Sequence, residues 1–299
     1  MPLTSTSSPI KLDQGLPMAD LDNDVLQNYR TQTYHLHPGA ALTSKEDALA
    51  YVEERGLIFF WPIRGVDLPS LWTATAGDRP VAAEHDDPGH VTWGWKDDLL
   101  DKRRWYYGKL LRGKATLVSL KTLPNFYALS KRVAELDDYQ LAYEEGKLTR
   151  EARVLADVLL KHGAQHTIEL RRLAHMSAST SKARFLRALT ELQRGLWVLP
   201  IGIAQAGSWR YAFIYELFDR WFPEIYKRAR GIHRQEARSH LLKSYINSVG
   251  ALLVKDVRKL FSWREEEIIV TLSQLEDRGD ALHLDDDRWA TIKLFQKNR

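Results

Sequence analysis

The run Glu84-His-Asp-Asp-Pro-Gly-His-Val-Thr-Trp-Gly-Trp-Lys-Asp-Asp98 crowds carboxylates, imidazoles and indoles into one stretch, with Lys102, Arg103, Arg104, Trp105, Tyr106 and Tyr107 close behind. Acids and histidines move protons near neutral pH. Aromatic rings hold a flat ligand, and cations hold phosphate. A site that does chemistry on a nucleobase needs all three. Asp86 and Asp87, with Asp97 and Asp98 as alternates, are candidate carboxylates; His85 and His90 are candidate proton donors or water-positioning groups. Trp61, Trp93, Trp95 and Tyr106 are candidate ring platforms. Trp93 and Trp95 are separated by one Gly, so in an extended segment both face one side.

Each of these residues also has a structural reading. Asp-Asp-Pro-Gly is a good turn sequence, because Asp bonds its own backbone and Pro-Gly suits a type II turn. His85 and His90 can be structural, and Trp61 can belong to a core. His-Asp-Asp-x-x-His matches no standard metal motif, so no metal and no cofactor are expected.

Charge points toward a polyanion. From 96 to 132 there are ten Lys or Arg against three Asp, a local excess of +7 in a chain of net charge +4. The expected phosphate-gripping set here is Lys96, Lys102, Arg103, Arg104, Lys109 and Arg112. Cysteine is absent, which excludes disulfides and a His/Cys/Cys zinc-deaminase site. No apolar run reaches the ~20 residues of a bilayer span, and the N-terminus does not look like a secretory signal. A cytoplasmic, nucleoid-associated monomer is expected.

The elements that must position these residues follow from caps, periods and breakers. Residues 1–40 read as a flexible leader. Ser44 and Asp47 have capping-box spacing, which starts a helix that stops near Gly56. Residues 57–61 read as a buried strand ended by Pro62, 64–98 as mostly loop, and 98–112 as a helix. In the second half, helices are predicted over 150–161, 166–174 and 179–194, then strands over 196–204 and 211–217. Three helices followed by a hairpin describe a winged helix. The order repeats over 234–249, 254–261 and 265–278, with a hairpin across 285–287.

The fold class is therefore α+β and mainly helical: a base-binding region over 41–148, then tandem winged helices over 149–230 and 231–299. The first of these carries Lys182, Arg184, Arg187 and Arg194 on its third helix and Trp209 and Arg210 on its wing, and is expected to hold DNA. The second shows Glu265, Glu266 and Glu267, so a bracing role is expected.

The runs Trp209-Arg-Tyr-Ala-Phe-Ile-Tyr215 and Arg234-Gln-Glu-Ala-Arg-Ser-His240 resemble segments of the AlkZ/YcaQ family of winged-helix DNA glycosylases, and the similarity extends over about 150–295. The resemblance implies hydrolysis of the N-glycosidic bond of an alkylated or bulky base in double-stranded DNA. The family's catalytic Gln-x-Gln or Gln-x-Asp follows a Gly-Leu pair. At the matching Gly56-Leu57-Ile-Phe-Phe-Trp61, the polar positions are occupied by Phe59 and Trp61, so the acid is expected from the 84–98 stretch. A monofunctional enzyme that leaves an abasic site is expected, for repair or for defence against modified foreign DNA. The alternative is a winged-helix DNA binder that does no chemistry.

Overall fold

The computed structural model describes residues 21–296 apart from Pro38, Lys131 and Ala134. Of the expected leader, residues 1–20 lie outside the described residues. Within residues 21–37, α1 (Asn23–Thr33) caps another helix. Tyr29 Oη, Thr33 Oγ1 and Arg30 Nε donate to the carbonyls of Asn247, Ser248 and Val249 at 2.7, 2.8 and 2.9 Å. These are among the last carbonyls of α12 (Arg234–Val249), which have no partner within their own helix. Gly250 ends that helix at φ +81°, and a Cβ there would meet Leu26 Cδ1 at 2.7 Å, so α1 packs where only glycine fits.

One element order occurs three times. The first copy is α2 (Lys45–Arg55), β1 (Leu57–Phe59), α3 (Leu71–Ala76), α4 (Val91–Leu100), β2 (Trp105–Gly108) and β3 (Thr116–Ser119). A connector of α5 (Leu123–Leu129) and α6 (Asp138–Glu144) leads to α7 (Arg150–His162), β4 (Gln165–His166), α8 (Thr167–Leu173), α9 (Lys182–Arg194), β5 (Val198–Ala204) and β6 (Ala212–Leu217). After α10 (Phe218–Trp221) and α11 (Pro223–Ala229), the third copy is α12, β7 (Ala251–Leu252), α13 (Val254–Phe261), α14 (Glu265–Asp277), β8 (Ala281–His283) and β9 (Trp289–Thr291). The antiparallel sheets run β1-β3-β2, β4-β6-β5 and β7-β9-β8, so the last strand is central each time.

The last two copies follow the order expected from sequence. The first copy corrects two expectations. The capping box at Ser44 and Asp47 forms as expected. Residues 64–98, expected as loop, contain α3 and most of α4. The helix expected over 98–112 ends at Leu100, and Trp105–Gly108 is a strand. Arg103 at φ +52° interrupts the helix, and the Trp-Tyr-Tyr run pairs with 117–119 on β3, where bulky rings pack well.

Each sheet backs onto a core. Ile58, Trp95, Leu99 and Trp105 sit in the first, Leu155, Phe185 and Leu192 in the second. The third is the largest: α12 supplies Leu241, Leu242, Tyr245, Ile246 and Val249, and the first copy adds Leu57, Phe59 and Tyr106. The copies therefore share apolar contacts rather than hanging on linkers.

Candidate nucleic-acid interface

The acidic stretch folds around Asp87. Its Oδ1 accepts from the Gly89 backbone at 2.7 Å, which caps a short 3-10 turn over Pro88–His90. Arg79 binds both carboxylate oxygens, at 2.6 and 2.9 Å. That guanidinium, together with the Gly89 N–H, holds the Asp87 carboxyl below its ordinary range. Asp87 is thus a loop staple that accepts three hydrogen bonds, a structural duty its assignment as a catalytic carboxylate did not include. Asp86 and His85 are exposed beside it. His90 is buried, stacked on Trp93 at 4.4 Å, with Nε2 3.1 Å from the Ala82 carbonyl. Only a protonated nitrogen faces a carbonyl favourably, so Nε2 carries the proton there.

Trp93 and Trp95 lie on α4 and not in an extended segment. Two residues on a helix are about 200° apart, so they face opposite sides. Trp95 is buried in the core, and Trp93 is half-buried 5.7 Å from Trp61. Tyr106 is wholly buried, with 0% of its surface exposed. Neither Trp95 nor Tyr106 can offer a ring face to a base; Trp61 and Trp93 remain.

Lys96 is 2% exposed and does not reach solvent phosphate. Its ammonium donates to Tyr211 Oη at 2.8 Å, pairs with Asp97 at 2.5 Å, and lies 4.7 to 5.9 Å from the rings of Phe213, Tyr107, Tyr211 and Phe60. Burial pushes its pKa down, against the pull of Asp97. The group joins the first copy to the hairpin of the second. Asp97 also accepts from Tyr211, and Asp98 is exposed and paired with Lys45.

The other basic residues separate. Lys102 pairs with Asp101, Arg103 lies over Trp221 at 4.2 Å, and Arg104 is exposed. Lys109 is half-buried, its backbone N–H donating to Gln193. Along α9, Lys182, Arg184, Arg187 and Arg194 are all exposed. Arg184 lines a cleft with Arg150 and His175, and Arg187 and Arg194 line a groove with Lys147 and Trp197. On the hairpin beyond α9, Trp209 is 89% exposed beside Arg210.

Arg194 also lines a cavity of about 410 Å³ where the three copies meet. Arg112 enters from the β2–β3 turn, Arg234 and Arg238 from α12, and Arg264 and Glu267 from the start of α14. The bracing expected of the third copy is therefore incomplete as a description, because this copy contributes three arginines. Glu267 is neutralised in place: it pairs with Arg238 and with Arg264 and accepts from the Arg264 backbone. The sequence signal was the spacing of Arg234 and Arg238, four apart and hence on one helix face.

The chain is a member of the AlkZ-related family, whose model it matches over residues 42–262. The solved structure of the DNA glycosylase AlkZ from Streptomyces sahachiroi is similar, with a TM-score of 0.55 at 12% identity, over 91% of this chain and 70% of that one. No curated protein matches the chain.

Proposed function

We propose that the protein binds double-stranded DNA along the exposed face of α9 and acts on it as a glycosylase. The observation that carries DNA binding is the row of Arg184, Arg187 and Arg194, which continues from one surface cleft into the next. Such a row neutralises successive phosphates and releases their counterions. The three copies are read as winged helices, with α9 as the recognition helix of the second and Trp209 and Arg210 at its wing tip. Membership of the AlkZ-related family supports the glycosylase reading.

The reaction on this scaffold is hydrolysis of the N-glycosidic bond of a modified or bulky base, with water as co-reactant and an abasic site as product. The developing oxocarbenium charge needs a carboxylate nearby, and the leaving base needs a proton or a hydrogen bond. With Asp87 engaged by Arg79, the exposed groups next to it in the chain are Asp86 and His85, and the His85 ring lies 6.2 Å from Trp93. Asp86 takes the carboxylate role and His85 the donor role. Asp98, exposed and paired with Lys45, is the alternate carboxylate.

The test is incubation with duplexes carrying alkylated purines or bulky cytosine adducts, followed by alkaline cleavage. Strand breaks lost in Asp86→Asn support excision.

A specific observation favours a second reading, a DNA-binding protein that does no chemistry. Phe59, at the family's first polar position, is wholly buried, and Asp87 is a staple. Tight duplex binding with no abasic site on any adduct selects this reading.

A further inference from the structure

We propose that the cavity at the junction of the three copies is a binding site for a nucleoside monophosphate unit, with the phosphoryl group on the arginines and the base beside Trp263. The site goes beyond duplex binding along α9, with which it shares only Arg194.

The charge is concentrated and only partly compensated. Five arginines meet one glutamate, and that glutamate already serves Arg238 and Arg264. Among the described residues, the guanidinium groups of Arg112 and Arg194 have no hydrogen-bond or ion-pair partner. Arg234 donates only to the carbonyls of Ala128 and Leu129, at 3.5 and 3.0 Å. Arg238 is 9% exposed, and its Nε has no hydrogen-bond partner. The unpaired guanidinium groups of Arg112 and Arg194 are the ones open to a ligand, and an oxyanion is the partner that matches their planar forks.

The cavity also has an aromatic side. Trp263 stacks on Phe261 with centroids 4.5 Å apart and planes 18° apart, and both line the space. Its volume lies in the ~300–1,000 Å³ range of small-molecule sites. An inorganic anion would leave the ring surface unused, whereas a nucleotide uses both sides. Three of the lining residues, Arg112, Leu196 and Ser262, hold left-handed backbone conformations at φ +54°, +58° and +60°, uncommon outside glycine.

The phosphoryl unit can come from a free nucleotide or from a nucleotide within a DNA strand, and titration calorimetry on the full chain separates the two. dAMP should bind at least about tenfold tighter than inorganic phosphate, and deoxyadenosine should give no signal. Arg112→Gln with Arg194→Gln should weaken dAMP at least about tenfold, with thermal melting unchanged. Trp263→Ala should bring dAMP down to the affinity of phosphate. A 5′-phosphorylated oligonucleotide that competes with dAMP identifies the strand as a source; free dAMP binding without competition identifies the nucleotide pool.

Arg184→Gln with Arg187→Gln should weaken duplex binding and leave dAMP untouched. A chain that binds duplex but not dAMP overturns the site while the α9 reading stands. Unchanged dAMP affinity in the Arg112 and Arg194 variant also overturns it.

Discussion

Arg79 and Asp87 are joined by two hydrogen bonds of 2.6 and 2.9 Å, one to each carboxylate oxygen, with the guanidinium lying 4.9 Å from the Trp72 ring. A carboxylate in that position organises the chain around it. Its second duty, capping the turn at Gly89, fixes where α4 begins and hence which way Trp93 and Trp95 face.

Asp87→Asn should therefore lower the melting temperature and leave duplex affinity intact. The carboxyl's pKa is depressed below the ordinary 3.8, so its contribution is fully present above that value and is lost as pH falls through the depressed one. Melting curves of variant and parent should differ at about pH 7 and converge toward about pH 2. A variant that melts like the parent at neutral pH but loses strand cleavage would restore Asp87 to the reaction.

Lys96→Met keeps the aliphatic stem and deletes the bonds to Tyr211 and Asp97. The cost should be about 1–3 kcal/mol in urea denaturation. Burial lowers the pKa of Lys96 from its ordinary 10.5, so between the two values the unfolded chain holds more protons and stability rises with pH. That alkaline rise should vanish in the variant. The salt dependence of DNA binding should not change, since the ammonium is enclosed.

Arg184, Arg187 and Arg194 changed together to Gln should flatten the slope of log affinity against log salt by up to about 2.7, near 0.9 per phosphate contact. The same treatment of Lys102, Arg103 and Arg104 should flatten it less, because Arg103 is held over Trp221 and Lys102 beside Asp101. Fluorescence anisotropy across a salt series measures both; equal slopes would place the interface off α9.

Phe59→Gln restores the family's residue type at β1 yet should cost about 3 kcal/mol or more, since an amide replaces a ring in a site with no exposure. An unaltered denaturation midpoint would mean the strand can turn that position outward.

Features set by near neighbours were legible in the residues alone. The Ser44–Asp47 cap, the helices of the second half and the two hairpins behind them depend on spacings of three, four or two, and each lies where the pattern puts it. The basic character of α9 was equally plain, because helical period alone sends Arg184 and Arg187 away from Phe185 and Leu189. The first copy was partly hidden: its two later helices are short, Gly94 sits inside one of them, and the Trp-Tyr-Tyr strand follows a basic run that reads as helical. Only the folded chain decided the fates of the chemically able residues. Asp87 became a staple because Arg79 folds back onto it, Lys96 became an enclosed cation because the second copy's hairpin closes over it, and Arg112, Arg194 and Arg238 meet across three separate copies. Burial and charge pairing are sums over neighbours distant in the chain, and no local spacing encodes them.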